Sequence, residues 1–119
     1  MVTATKRKLS GSTDGKPILV AATETPGTAI HTAVSGTTPG TFDEIWLWVH
    51  NTSASTVQLT IEFGGATAPD QNIVMSVTGR QGLYLAVPGL ILQNAATVKA
   101  FASTANVITV TGFVNTMTD

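Results

Sequence analysis

The chain has 119 residues, enough for one domain that buries roughly 65% of its unfolded surface. Hydrophobic residues make up 43% and charged residues 11%, with a formal net charge of −1 and no cysteine; disulfides, thiolate chemistry, Cys-ligated zinc and a broad basic face for polyanions are thereby excluded. So small a charge gives little colloidal repulsion and leans toward a protein that assembles.

Taken in chain order, residues 1–15 are polar, with Lys6, Arg7 and Lys8 followed by SGSTDG. Such a composition buries too little apolar area to order itself, so the reading is a flexible N-terminal arm ahead of a β-sandwich domain over residues 16–119. The basic cluster is not followed by an apolar h-region, and no apolar run reaches the length of a bilayer span. Neither a standard export signal nor a membrane partner is expected.

From Lys16 onward, short apolar runs alternate with Gly, Pro, Asn and Ser at the spacing of an antiparallel sandwich or barrel. The chain is rich in Thr, which is stiff at χ1 and suits a pleated surface. Strands are predicted over PILVAA (17–22), TAIHTAV (28–34), FDEIWLWVH (42–50) and TVQLTIEF (56–63). Further strands follow at NIVMSV (72–77), GLYLAV (82–87), the short LILQ (90–93), TVKAFAS (97–103) and VITVTGFV (107–114). Eight or nine short strands make the fold class all-β, a single antiparallel sandwich that is jelly-roll-like or immunoglobulin-like; periodicity alone does not choose between them.

TVQLTIEF alternates apolar Val57, Leu59, Ile61 and Phe63 with polar Thr56, Gln58, Thr60 and Glu62, the pattern of a strand with one wet face. It is expected to pair with FDEIWLWVH as a hairpin through the NTSAS turn. Pro88-Gly89 is read as another turn. Gly112, inside the last run, signals a bulge or a close backbone approach.

Candidate chemistry is sparse. Asp43 and Glu44 are adjacent on a strand, so they face opposite sides and cannot flank one bond; they are read as solvated charges. His31 and His50 fall in no metal-ligand spacing and are read as surface or edge histidines. No GxSxG elbow, GxGxxG or P-loop occurs. Catalytic residues, metal ligands and cofactors are therefore not assigned, and the chain is read as no enzyme.

The stretch EIWLWVH is different in kind. If Ile45, Leu47 and Val49 enter the core, Trp46 and Trp48 point outward, and each indole carries about 150–250 Å² of surface that water covers poorly. Either the chain folds TPGTAIHTAV or its N-terminal arm over them, or they form an interface core, joined by Tyr84 and Phe101. A sugar-stacking platform is the third possibility, with only Glu44 and His50 as local hydrogen-bonding neighbours. Lys6, Arg7 and Lys8 suit an acidic protein groove better than nucleic acid, since no aromatic residue lies beside them in sequence for base stacking.

The runs DEIWLWVHNTSASTVQLTIEFGGATAPD and GLYLAVPGLILQNAATVKAFASTANVITVTGFVN resemble the small all-β virion proteins of tailed bacteriophages, among them head decoration or cement proteins. The resemblance covers roughly residues 41–115 and is one of pattern, without a functional motif. It implies a non-enzymatic protein on the capsid exterior, made in the host cytoplasm, that clamps neighbouring major capsid subunits. It also implies a homo-oligomer, commonly a trimer, with an N-terminal arm that orders on the lattice. The interface residues then expected are Trp46, Trp48, Tyr84, Phe101, Lys6, Arg7 and Lys8, with a glycan-binding or host-adhesion module as the alternative.

Overall fold

The computed structural model describes residues 2–119, all of whose regular structure is β. Nine strands run in order: β1 (Thr3–Lys8), β2 (Ile18–Leu19), β3 (Thr28–Thr32), β4 (Phe42–Asn51), β5 (Val57–Phe63), β6 (Asn72–Val77), β7 (Tyr84–Leu92), β8 (Thr97–Ala102) and β9 (Ile108–Thr118). One sheet has the order β1-β9-β4-β7, with β2 pairing to β9 beyond the end of β1, and the other has the order β3-β8-β5-β6. Every pairing is antiparallel, and four of them nest: β2 with β9, β3 with β8, β4 with β7, β5 with β6. A long hairpin rolled up on itself pairs its strands in this way, so the sandwich is a jelly roll and not the immunoglobulin alternative.

The core lies between the sheets. Ile45, Leu47 and Val49 of β4, Leu59 and Ile61 of β5, Val98 of β8 and Val110 and Val114 of β9 are all at most 1% exposed. The alternation along β4 is unbroken, with every second residue from Asp43 to Asn51 buried and those between them partly covered. Both faces of β4 are therefore occupied, the inner by the core and the outer by an aromatic cluster.

Several sequence expectations are corrected. Residues 3–8 of the supposed arm form β1, held in a six-residue register with β9 from Thr3 opposite Thr118 to Lys8 opposite Phe113. All six side chains remain exposed, so polarity hid a strand whose order comes from β9 and not from burial. Directly after it Leu9 enters the core at 1% exposure. The amide of Gly11 then donates to Ile30 O at 2.9 Å, and Thr32 N donates to Ser10 Oγ at 2.7 Å. This short segment thus stitches the edge of β3 to the first sheet. Gly11 is required there, because an added Cβ would lie 2.6 Å from the carbonyl oxygens of Ala29 and Ile30.

The expected β4–β5 hairpin does not form, because the two strands belong to opposite sheets. The NTSAS turn is real but carries the chain across the sandwich. Buried Asn51 organises it, donating through Nδ2 to Ser55 O at 2.7 Å and to Val77 O of β6 at 2.8 Å while accepting from Ser53 N at 2.9 Å. Nor is the polar side of β5 wet along its length. The loop before β3 covers it: Thr25 Oγ1 and Gly27 N each donate to the Glu62 carboxylate at 2.6 Å, which satisfies a charge that is only 2% exposed. Finally, Pro88-Gly89 is no turn. The predicted runs on either side of it join into β7, with register shifts against β4 that let an edge strand accommodate proline.

Candidate functional site: an aromatic face on the outer side of the first sheet

Trp46 and Trp48 project from the outer side of β4, as their alternation with the core residues requires. The residue opposite Trp46 on β9 is Phe113, and the one opposite Trp48 is Thr111. The three rings are close to parallel, with interplanar angles of 20° for Trp46–Trp48, 19° for Trp46–Phe113 and 29° for Trp48–Phe113. Their centroids are separated by 6.3, 6.4 and 6.0 Å respectively.

These distances decide how the rings lie. Three rings stacked in a column would put the outer pair farther apart than either inner pair by a factor of two, whereas here the centroids form a nearly equilateral triangle. Near-parallel planes at these separations exclude a single column and make the three rings an offset-stacked cluster in which each ring lies against the other two. Trp46 leans over β7, where a Cβ added to Gly89 would sit 2.9 Å from its Cζ2 atom. Gly89 has φ +77°, so its backbone both needs glycine and lets the indole settle onto the strand. The result is a compact aromatic cluster on the outer side of the sheet, partly covered by itself and by neighbouring strands.

Its margins differ. On the β1 side, the Lys6 ammonium sits 4.6 Å from the Phe113 ring centroid, within cation–π range. On the β7 side, Leu85, in register with Trp48, and Ile91, in register with Glu44, are 48% and 55% exposed. At the Glu44 end, one carboxylate oxygen accepts from Trp46 Nε1 at 2.7 Å and from Asn115 Nδ2 at 3.0 Å. These two donors, Trp46 first, hold the Glu44 carboxyl below the ordinary glutamate range.

A carboxylate whose value is depressed in the folded state contributes stability above its unfolded value and loses it as pH falls through the folded one. Acidification below the ordinary glutamate range should therefore release the Trp46 indole and change its fluorescence, a transition absent in Glu44→Gln. An identical acid transition in that variant would show that Glu44 does not fix the ring.

Of the residues singled out from sequence, Trp46, Trp48 and Lys6 come together here. Lys8 is in register with Phe113 on the same side, but its ammonium donates to Ser12 O at 3.0 Å. Arg7, in register with Val114, alternates to the other side. Tyr84 and Phe101 do not join the face. Tyr84 is opposite Val49 and packs against the core. Phe101 belongs to β8 of the other sheet, alternating with buried Ala100 and Ala102, and so lies across the sandwich. Phe113 and Asn115 escaped the sequence reading although TGFVN alternates correctly, because nothing in the sequence says that β9 lies beside β4.

Comparison with family models, with curated proteins and with solved structures finds no match.

A second polar cluster lies inside the sandwich. His31 of β3 and Asp43 of β4 are 5% and 1% exposed, against their reading as an edge histidine and a solvated acid. Ser10 N donates to His31 Nδ1 at 2.9 Å, which leaves the proton on Nε2, 2.6 Å from Asp43 Oδ2. Thr116 Oγ1 donates to Asp43 Oδ1 at 2.7 Å and Val34 N to Oδ2 at 3.2 Å. Ser, His and Asp are all present, but not as a nucleophilic triad: the serine amide meets the imidazole, and Ser10 Oγ accepts from Thr32 N. The cluster ties β3, β4, β9 and the segment after β1 together. Among the described residues, no three His, Asp or Glu side chains gather to share an ion.

Proposed function

We propose that the chain is a non-enzymatic structural protein of a virion, of the tailed-phage head decoration type, that binds the outside of a capsid and stabilises it. The observation that carries this reading is the stacked cluster of Trp46, Trp48 and Phe113, a preformed aromatic surface on the outer side of the sheet. Aromatic residues concentrate in the cores of protein interfaces, where they bring large area at small entropy cost. Lys6 beside Phe113 suits an acidic rim on the partner. Jelly rolls also occur among viral capsid domains, which is support by analogy of fold alone.

The partner in this reading is the major capsid protein, and the test is co-sedimentation with expanded heads. Trp46→Ala and Trp48→Ala should each weaken binding by about 30-fold or more, the effect of losing an anchor worth about 2 kcal/mol. Bound wild-type protein should raise the melting temperature of the heads. No binding at micromolar concentration would reject the proposal.

A glycan-binding role is the second reading, favoured by Asn115 and Glu44, which stand beside Trp46 as a sugar's hydrogen-bonding partners would. In that case polysaccharide shifts the tryptophan emission, and Trp46→Ala abolishes the shift.

A further inference from the structure

The two sides of the sandwich are finished differently. On the β1 and β3 side, the chain stitches the sheets together through Ser10 and Gly11, and the outermost strand carries Lys6, Arg7 and Lys8. On the other side, β7 and β6 are the last strands of their sheets. Between Arg80 and Lys99 there is no charged residue, and β6 has none either. Leu83, Leu85, Leu90 and Ile91 in and next to β7, and Val74 in β6, are 43–62% exposed. Charge guards the β1 edge, whereas β7 has Pro88 and two register shifts, which block ladder pairing but leave its apolar side chains uncovered.

The arrangement of β7 says what covers it. Pro88 is the middle residue of the strand, and Leu85 and Ile91 lie three positions on either side of it. Pro88, Leu85 and Ile91 are all in register with outward-facing residues of β4, namely Trp46, Trp48 and Glu44. An antiparallel strand with such symmetry complements a second copy of itself. Rotation about an axis at Pro88 sets Leu85 of one copy against Ile91 of the other, twice; Pro88 on the axis has no N–H to give a ladder, so the contact is one of apolar side chains. No like charges meet there, whereas the same operation at β1 would oppose two sets of three cations. The area suffices as well. A nine-residue strand is about 30 Å long, and with the molecule's 21 Å short dimension this gives roughly 600 Å² per copy, at the lower limit for a specific dimer.

We propose that two copies of this chain pack side by side along β7 across a two-fold axis at Pro88, through the apolar side chains on either side of it and without a hydrogen-bonded ladder between them. Because the axis is perpendicular to the sheet, both aromatic faces then point the same way, and a partner with repeated sites meets two anchors at once. The pairing stands whether or not that face binds a capsid.

Sedimentation equilibrium of the full chain, from low micromolar to several hundred micromolar, tests it. Wild type should pass from one to two chain masses. Leu85→Lys and Ile91→Glu should each raise the dissociation constant by about 100-fold, since each places a charge in an apolar contact. Both side chains are about half exposed in the single chain, so circular dichroism and denaturation midpoints should show the variants folded. Combining the two substitutions opposes lysine and glutamate across the axis and should restore the dimer. A chain that stays monomeric or forms trimers, single variants that dimerise normally, or a double variant that remains dissociated would each overturn the proposal.

Discussion

Asp43→Ala should lower the unfolding free energy by about 3–5 kcal/mol, the range for removing one member of a buried, hydrogen-bonded charge cluster. At roughly 4 °C per kcal/mol for a domain of this size, the melting temperature falls by about 12–20 °C. The loss exceeds that of one contact because the carboxylate is the common acceptor for His31 Nε2–H, Thr116 Oγ1–H and Val34 N–H. All three donors would be left facing a space that is closed to solvent. Asp43→Asn should lose much less: its amide oxygen can replace Oδ2 as acceptor for His31 Nε2–H and Val34 N–H, and its NH2 can donate to the Thr116 hydroxyl, which also accepts. A double-mutant cycle with His31→Ala separates this account from simple loss of volume. If the carboxylate is the hub, the double variant costs distinctly less than the two single ones added together. Additive losses, or a single loss below about 1 kcal/mol, would show that the cluster is not the clamp between the sheets.

That cluster also marks where sequence reasoning stops. Alternation along EIWLWVH was enough to send Trp46 and Trp48 outward, since a period of two fixes a face wherever the other face fills a core. The same alternation says nothing about which strand lies alongside. Asp43 looked like a solvated charge because its three donors come from β3, β9 and the segment after β3, up to 73 residues away in sequence. β1 was illegible for a related reason. TATKRK buries no side chain, so its strand character exists only through the register with β9, a partner more than a hundred residues away. Glu62 shows the limit from the opposite side. The pattern of TVQLTIEF assigns it correctly to the outer face of its strand, but a loop and not water covers that face. Pro88-Gly89 misled because proline and glycine carry the same local signal at a turn as at an edge-strand irregularity, and only the neighbour β4 distinguishes them. Fold class was thus legible from local periodicity, whereas strand order and the aromatic site depend on pairings distant in sequence.

Gly112→Ala should be nearly as damaging as loss of Asp43, at about 3 kcal/mol or more, although it adds a single methyl group. Gly112 lies opposite Leu47 in an uninterrupted β4–β9 register, so the glycine marks a close approach of two backbones and not a bulge. A Cβ there would run into the carbonyl oxygen of Trp46, with Trp46 C at 3.0 Å and Leu47 Cα at 3.1 Å. None of these atoms belongs to a side chain that can rotate away. Relief would require β9 to draw back from β4, and Phe113 is the next residue along, so the stacked rings would separate at the same time. Equilibrium unfolding measures the first effect, and near-ultraviolet circular dichroism, which reports the packing of the indoles, measures the second. Gly36→Ala is the appropriate control. Gly36 has φ +92° but open space around it, so alanine there carries only the backbone penalty of about 1–2 kcal/mol and leaves the aromatic signal intact. If Gly112→Ala proved no worse than that control, β9 would not be held against β4 as closely as the aromatic face demands. Trp46 and Phe113 would then lack the shared rigid floor on which their action as one surface depends.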